Sequence, residues 1–456
     1  MRRRLLTTLL AAGLAAVPVK AAPGDAPGAG VAVTNPAWTR DAVIYQINTR
    51  QFTPEGTFAA AQQHLPRLAA LGVDIIWLMP IHPIGLEGRK GSLGSPYAVR
   101  DYLAVNPELG TEADLAAFVA EAHRLGLRVI LDWVANHSAR DNPLTASHPH
   151  WYTRTPEGAL TSPAGTDWSD VADFDYGQPG LRRYMIDAMA HWVRAYGIDG
   201  FRCDVAGYVP TDFWEAARAE LEAIRPVFML AEWEQRDLHA RAFDATYAWG
   251  WKEAMQRLVK SGEGAGPIRA YYALQAETWP HAAMRMVYTE NHDQNAWDGA
   301  ARAIYGPAYA AAIALSFVGP GMPLIYNGQE ADNERSLAFF ERDPIVWREG
   351  ANAPLFRQLI ALKTQMRALH NGRFGAPMVM VPTSADADVL AFTRGAAGER
   401  VFAVFNLSPR AQQVRFGLAR HHGRYRDVLE GEAMAFAGGE VLELPAWGFR
   451  IFAESD

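Results

Sequence analysis

Short apolar runs alternate with amphipathic stretches along most of this chain. Each run has the length of a β-strand, and continuous apolar runs are typical of parallel strands that are covered on both faces. A weaker run at Phe243–Tyr247 is the candidate for one further strand. The clearer predicted strands are Ala42–Ile47, Val73–Met79, Leu127–Leu131, Ile198–Cys203, Val227–Leu230, Met284–Tyr288 and Pro323–Tyr326.

The stretches between these runs carry apolar residues at helical spacing. Thr111 and Asp114 resemble a capping box that starts one helix, and Gly126 ends it. A longer apolar stripe runs from Leu181 to Tyr196 and ends at Gly197. Further helices are predicted at Asp212–Ile224, Trp251–Val259, Pro307–Phe317 and Pro354–Leu369. Regular strand–helix alternation predicts an α/β fold, and eight repeats favour a (β/α)8 TIM barrel over an open sheet.

Two changes in the pattern indicate further parts of the chain. We assign residues 41–372 to the barrel and residues 137–180 within it, which lack clear periodicity, to a short inserted subdomain after strand 3. Beyond residue 372 the pattern changes to short alternating runs, at Val379–Val381, Val389–Phe392, Val401–Phe405, Val414–Phe416, Val441–Leu444 and Phe449–Phe452. Residues 373–456 are therefore predicted to form a C-terminal antiparallel β-sandwich domain.

The N-terminus has the layout of an export signal. Three arginines precede an apolar Leu- and Ala-rich stretch, and small residues follow at Ala21 and Ala22. The apolar stretch is about 15 residues, shorter than the ~20 that a membrane span needs. We predict a signal peptide at residues 1–22, a flexible leader at 23–40, and an exported protein with no stable membrane insertion after signal removal. A short membrane anchor is the alternative.

Composition and charge argue against several classes of function. The net charge is −7 and no basic stripe is present, which argues against a nucleic-acid partner. The single cysteine, Cys203, excludes an internal disulfide. Because Cys203 lies in an apolar run, we interpret it as a small buried hydrophobic residue rather than a nucleophile.

Four acidic residues lie at or shortly after the C-terminal ends of four of the strand candidates. They are Asp132, Asp204, Glu232 and Asp293. The C-terminal ends of barrel strands meet at one mouth, so these carboxylates are expected to gather there. Paired carboxylates in a cleft are what glycosidic bond cleavage requires.

The surroundings of two acids predict different roles. Arg202 lies two residues before Asp204 and therefore on the same strand face, where its guanidinium would lower the pKa of Asp204 and keep a nucleophile ionised. Glu232 ends an apolar run without a neighbouring cation, which would raise its pKa and suit a proton donor. A structural ion pair and a strand-end glutamate are the alternative interpretations.

Other polar residues are assigned to substrate binding or structure. His292 and Asp293 could hold a sugar hydroxyl from two sides, and His137 could donate to a sugar. Asp132 is interpreted as a structural anchor. No metal site is predicted, since no second histidine lies at ligand spacing near His292. Serine-hydrolase, phosphate-loop, HExxH and CxxC motifs are absent from the sequence.

Taken together, these segments resemble the α-amylase family, glycoside hydrolase family 13. The matching motifs are Asp132-Trp-Val-Ala-Asn-His137, Gly200-Phe-Arg-Cys-Asp204, Glu232 and Asn291-His-Asp293, in the family's order. Ser95–Tyr102 also resembles the segment that follows the second strand in the family. The resemblance extends from about residue 42 to residue 452.

The resemblance implies a retaining hydrolase of α-1,4-glucans such as starch or maltooligosaccharides. It implies no required cofactor, and it leaves calcium binding open because Asn136 matches a frequent calcium ligand. Gly207-Tyr208 departs from the family's common Lys-His, which puts the usual contacts there in doubt. The implied catalytic residues are Asp204 (nucleophile), Glu232 (acid and base) and Asp293, and the implied substrate-binding residues are Tyr97, His137, Arg202 and His292.

Three alternatives remain open at this point. Two are enzymes of the same family, an α-glucosidase and a glucan transglycosylase. The third, from another class, is a non-catalytic glucan-binding accessory protein. The presence of all three acids weighs against the last alternative.

Overall fold

The computed structural model describes residues 31–455. The predicted signal peptide, residues 1–22, and the first part of the predicted leader lie outside these residues, so the export signal stays a prediction. Eight parallel strands close into a barrel in chain order. They are β1 (Ile44–Ile47), β2 (Ile75–Leu78), β3 (Arg128–Trp133), β4 (Gly200–Cys203), β5 (Phe228–Ala231), β6 (Ala245–Tyr247), β7 (Met284–Tyr288) and β8 (Met322–Tyr326).

The predicted (β/α)8 barrel is therefore confirmed. Each predicted run overlaps one strand, and the weak candidate Phe243–Tyr247 supplies β6. That strand has three residues, which is why its periodic signal is weak. Closure comes from pairing of β1 with both β2 and β8.

Side chains that point into the barrel change character along each strand. The lower positions are apolar, for example Ile75 in β2 and Ile130 in β3, and they belong to one buried core inside the barrel. Two residues further on, the same inward face presents Trp77 and Asp132. Residues two apart on a strand point to the same face. Along the inward face, each strand therefore carries apolar residues inside the barrel (the floor) and polar residues at its mouth (the rim).

Helices pack around the barrel and cover the outer faces of its strands. The capping box at Thr111 and the left-handed glycine at Gly197 are both present, as predicted. The α-helices are Thr49–Phe52, Phe58–Gln62, Leu65–Leu71, Glu112–Arg124, Leu144–Ser147, Pro179–Tyr196, Thr211–Glu222, Trp249–Ser261, Gly266–Thr278, Ala301–Tyr305, Tyr309–Val318 and Asn352–Gln365. The apolar segment Ala301–Val318 meets the length and hydropathy of a membrane span, yet 67% of it is buried inside the protein, as in a core helix.

Residues 31–40 differ from the predicted flexible leader. Val33 is buried, and the Nδ2 of Asn35 donates to Asp244 Oδ1 at 2.9 Å. Trp38 packs against Phe228 with ring centroids 6.0 Å apart. This segment is fixed because its alternating apolar and polar side chains find buried partners on the barrel.

The loop between β3 and β4 forms the small excursion expected after strand 3. Two short strands, His137–Ala139 and Val171–Asp173, pair antiparallel and enclose the segment between them. The helix Pro179–Tyr196 then returns the chain to the barrel.

The C-terminal residues form an antiparallel domain of eight strands. Six of them make one sheet in the order β9-β10-β11-β16-β13-β14, and β12 pairs with β15. Side chains from both sheets share one apolar core, which gives a sandwich. The strands are β9 (Met378–Met380), β10 (Val389–Arg394), β11 (Val401–Asn406), β12 (Gln412–Arg415), β13 (Gly423–Asp427), β14 (Ala433–Phe436), β15 (Val441–Leu444) and β16 (Phe449–Glu454).

The sequence analysis missed two strands of this domain, β13 and β14. In β13 only Tyr425 and Asp427 are buried, and in β14 only Phe436 is. Arginine and alanine occupy the intervening positions. A strand with so few large apolar residues gives almost no alternating signal, although it pairs normally with its neighbours.

Candidate active site

Arg202 lies at the centre of the candidate site, at the mouth of the barrel. Its side chain is fully buried. Nη1 lies 2.8 Å from Asp132 Oδ1 and 2.9 Å from Asp204 Oδ1, and Nη2 lies 2.8 Å from Glu232 Oε1. Nε donates to the Tyr247 hydroxyl at 3.2 Å. One guanidinium thus gathers three carboxylates from β3, the end of β4 and the end of β5.

Backbone pairing fixes the positions of the two proposed catalytic acids along the barrel axis. The Asp204 N–H donates to the Trp133 carbonyl at 3.0 Å, and the Glu232 N–H donates to the Cys203 carbonyl at 3.0 Å. These bonds continue the ladders between β3, β4 and β5 by one residue. Both acids are therefore held at neighbouring strand ends, where each side chain is about one tenth exposed.

Glu232 has a second fixed contact. Its Oε2 accepts a hydrogen bond of 2.8 Å from the backbone N–H of Val205, the residue that follows Asp204. Val205 has a φ of 34°, which is rare for a β-branched residue. The turn after Asp204 therefore aims a backbone donor at the neighbouring acid.

The protonation of this cluster differs from the sequence prediction. Asp204 was predicted to have a lowered pKa, but burial and the Glu232 charge raise its pKa well above the usual range, and Arg202 opposes this only in part. Burial likewise raises the pKa of Asp132 to about 6. Glu232 was predicted to lack a cation, yet it contacts Arg202. One positive charge faces three buried carboxylates, which favours retention of a proton in the cluster.

A hydrogen-bonded chain joins Asp132 to the other side of the mouth. Asp132 Oδ2 accepts bonds from Trp77 Nε1 at 3.1 Å and from the Tyr97 hydroxyl at 3.0 Å. The Tyr97 hydroxyl also lies 2.7 Å from His292 Nε2, and the two rings stack with centroids 5.5 Å apart. Asp132 is fully buried and fully bonded, which agrees with the structural role expected for it.

His292 links this chain to Asp293. Gln46 Nε2 donates to His292 Nδ1 at 2.7 Å, so Nε2 carries the proton of the neutral ring. Burial lowers the pKa of His292 to about 3, which keeps the ring neutral. Nε2 lies 3.2 Å from Asp293 Oδ2, and the Asp293 side chain is 42% exposed. Asp293 is the most accessible acid of the site.

His137 lies beside Tyr97 but is buried. The backbone of Tyr97 lies close to the His137 ring, and His137 Nδ1 lies 3.3 Å from Asn136 Oδ1. Burial lowers the pKa of His137 to about 3. The structure therefore brings together all the predicted site residues around one mouth, with Asp204, Glu232 and Arg202 on one side and Tyr97, His137, His292 and Asp293 on the other.

Aromatic rings flank the acid pair. Trp233 follows Glu232 directly, and its ring lies 5.4 Å from that of Tyr208, which is 43% exposed. Gly207 makes this packing possible, because a Cβ at this position would lie 2.0 Å from the Trp233 ring. The departure Gly207-Tyr208 thus places an open aromatic surface beside Glu232.

Sequence reasoning missed three residues that contact the predicted ones: Gln46, Trp77 and Tyr247. Each is an inward-facing residue at the upper end of its strand. The Arg202 guanidinium lies 5.1 Å from the centre of the Trp77 ring, in addition to its bond with Tyr247. They could have been found by counting in steps of two along each predicted strand from its buried apolar residues, because residues two apart share the inward face.

The residues around Asn136 do not provide a carboxylate cluster for calcium. Asn136 directs Oδ1 to His137 and donates from Nδ2 to Asp173 at 3.5 Å. Within residues 31–455, no group of three or more His, Cys, Asp or Glu side chains is arranged to hold a metal.

The fold and the site define the class: a (β/α)8 barrel with a carboxylate cluster at its mouth and a C-terminal β-sandwich. Residues 28–155 and 165–263 match the family model described as the α-amylase catalytic domain. Residues 378–451 match the model described as the C-terminal domain of maltogenic amylase. The chain belongs to the α-amylase family, glycoside hydrolase family 13.

Two solved structures are similar over nearly the whole chain. An α-amylase from Lactobacillus plantarum is 33% identical with a TM-score of 0.81, and the match covers 92% of this chain and 100% of that one. The noncanonic maltogenic α-amylase AmyB from Thermotoga neapolitana is 29% identical with a TM-score of 0.83, over 91% and 98% of the two chains.

Curated relatives are longer than this chain. The α-amylase MalA of Haloarcula japonica is 33% identical over 341 residues, which is 70% of this chain and 48% of that protein. Across the first curated relatives, this chain spans 48% to 63% of their length.

Proposed function

We propose that this protein is a retaining glycoside hydrolase that cleaves α-1,4-glucosidic bonds in starch, maltooligosaccharides or related α-glucans. The observation that carries the proposal is the contact of Asp204 and Glu232 with one buried guanidinium, with Asp293 across the same mouth. The α-amylases that are similar to this chain over most of its length support the choice of substrate.

In the proposed reaction, Asp204 is the nucleophile and Glu232 is the acid and then the base. Asp204 attacks the anomeric carbon and forms a covalent glycosyl-enzyme, while Glu232 gives its proton to the leaving oxygen. Glu232 then takes a proton from water, which attacks the same carbon and releases Asp204. Arg202 stabilises whichever of the two acids carries negative charge.

The crowded charges explain how the two acids can be set for these roles. Arg202 contacts both, and a proton retained on one favours ionisation of the other. The N–H of Val205 fixes one oxygen of Glu232. Tyr97 and His292 form the aromatic wall for the sugar at the cleavage point, and Asp293 is open to bind its hydroxyls.

Replacement of the proton donor tests the proposal. We expect Glu232→Gln to lower kcat on maltoheptaose by about 10²- to 10⁴-fold, because the sugar leaving group needs a proton and the amide cannot donate or accept it. Glu277→Gln, on the exposed face of the helix Gly266–Thr278, is the matched control and should keep the wild-type rate. An unchanged rate in Glu232→Gln would reject this residue as the proton donor.

The products formed from maltoheptaose separate the hydrolase from its alternatives. Fragments from the middle of the chain support α-amylase-type action. Release of glucose alone points to an α-glucosidase. Products longer than maltoheptaose indicate a transglycosylase. Absence of any change in maltoheptaose, together with measurable binding, would instead favour the non-catalytic glucan-binding protein.

A further inference from the structure

Trp297 is an exposed tryptophan beside Asp293. Its exposed fraction is 60%, although large aromatic side chains are usually buried. It lies in a single π-helical turn, Gln294–Asp298, that starts directly after Asp293. Short π-helical segments occur frequently at functional sites.

Buried hydrogen bonds hold this turn in place. Asn295 is fully buried, and its Nδ2 donates to Glu290 Oε1 at 2.7 Å and to the Arg335 carbonyl at 3.0 Å. Its Oδ1 accepts from the Leu337 N–H at 2.8 Å. Gln294 Nε2 donates to the Thr289 carbonyl at 2.8 Å. The exposed indole is therefore carried by a turn that is anchored on two sides.

Trp297 also begins an aromatic strip that leads to the cleavage point. Its ring lies 5.4 Å from Phe339 and 5.9 Å from Phe340. Phe339 in turn stacks on Tyr97 with ring centroids 6.3 Å apart and an interplanar angle of 15°. Phe339 and Phe340 are half-buried, so the strip rises from the floor at Tyr97 to the open edge at Trp297.

The strip lies beside the most accessible acid of the site. Trp297 is four residues after Asp293, whose Oδ2 lies 3.2 Å from His292 Nε2, and the His292 ring stacks on Phe339 with ring centroids 6.1 Å apart. Trp297 thus offers an open ring face at the outer end of a strip that passes Asp293. An exposed ring of this kind suits the C–H face of a sugar.

We infer that Trp297 is a substrate-positioning residue: its exposed ring packs on a glucose unit of the bound glucan. The inference rests on the proposed function, and it assigns the glucan-binding surface to the strip Trp297–Phe339–Tyr97. Trp297 acts on the reaction through substrate binding.

Two substitutions test this role. Trp297→Phe keeps a ring, so KM on maltoheptaose should stay within about twofold of wild type. Trp297→Ala removes the ring, so KM should rise about threefold to tenfold with kcat within about twofold, as expected for loss of one aromatic contact. Leu274→Ala, which changes an exposed apolar residue of the helix Gly266–Thr278, is the control and should match wild type.

The split between KM and kcat distinguishes positioning from a merely structural effect. A variant that only loosens the fold has less active enzyme, so its apparent kcat falls while its KM stays the same. Loss of a sugar contact raises KM and leaves kcat unchanged. Melting temperatures identify a variant that has lost its fold, and Trp297→Gln, which removes the ring with a smaller loss of volume and should also raise KM, is then the deciding variant.

The results keep this inference apart from the proposed function. If wild type cleaves maltoheptaose while Trp297→Ala shares its KM, the role of Trp297 is wrong and the proposed function stands. If wild type neither cleaves nor transfers maltoheptaose, the proposed function fails. Calorimetric binding of maltoheptaose in the Glu232→Gln background, with and without Trp297→Ala, then tests only the packing of the Trp297 ring on the sugar. An equal Kd in the two proteins would overturn it.

Discussion

At the scale of single residues, burial raises the pKa of Asp204 more than the neighbouring opposite charge lowers it. The Arg202–Asp204 contact was predicted correctly from their spacing, but the expected lowering of the Asp204 pKa was wrong. A guanidinium shared with Asp132 and Glu232 cannot compensate the desolvation of every carboxylate. The charge of an acid in this site is therefore a property of the cluster and not of the adjacent residue.

Glu290 shows the same competition outside the acid cluster. It is buried, and burial raises its pKa from 4.5 to about 7. Between these two pH values the unfolded chain ionises Glu290 while the folded protein keeps it protonated. The residue therefore lowers the free energy of unfolding increasingly from pH 4.5 to pH 7, by about 3 kcal/mol in total.

We expect Glu290→Gln to become more stable relative to wild type as the pH rises. The glutamine Oε1 can still accept from Asn295 and from the Ala301 N–H, which both bond one oxygen of Glu290. Melting temperatures of the two proteins at pH 5 and pH 8 measure the effect. Glu277→Gln is the exposed control. A stability difference between Glu290→Gln and wild type that is equal at both pH values would contradict the prediction.

At the scale of elements, local signals identified the strongest helices and strands. The helix Pro179–Tyr196 ends at Gly197, whose φ is 69°, as the glycine after the apolar stripe predicted. Strands β6, β13 and β14 were weak or missing in the pattern because they bury few large apolar side chains. Their pairing partners determine them, and a partner is not visible in a local window.

Gly197→Ala should destabilise the protein by about 1 kcal/mol, because an L-residue is strained at this left-handed position. Sterics contribute little, since the nearest atom to an added Cβ is 3.4 Å away. Gly197→Asn should cost less than Gly197→Ala, because asparagine tolerates the left-handed conformation better. Urea unfolding of the three proteins gives the order, and equal stability of alanine and glycine would show that the conformation at 197 is not left-handed.

At the scale of the whole molecule, a buried arginine fastens the C-terminal domain to the barrel. Arg394, at the end of β10, donates from Nη1 to the carbonyls of Gly319 at 2.9 Å and Val318 at 3.3 Å, and from Nε to the Ala376 carbonyl at 3.0 Å. The helix Tyr309–Val318 of the barrel ends at these carbonyls. The guanidinium therefore satisfies a helix end that would otherwise be buried without donors.

Arg394→Met should lower the free energy of unfolding by about 3 kcal/mol or more, since several buried carbonyls lose their donor. Arg415→Met, an exposed arginine of the same domain, is the control and should stay within about 0.5 kcal/mol of wild type. Urea unfolding followed by tryptophan fluorescence measures both. If the two variants are equally stable, Arg394 does not hold the domains together.

The sequence by itself determined the barrel, the order of its strands and the strand ends that carry Asp132, Asp204, Glu232 and Asp293. These features depend on local periodicity and chain order, which a single sequence displays. Only the tertiary structure decided which acids share Arg202, that residues 31–40 pack on the barrel, and that Trp297 stays exposed beside Asp293. Those outcomes depend on desolvation and on contacts between residues far apart in the chain, and neither leaves a local pattern.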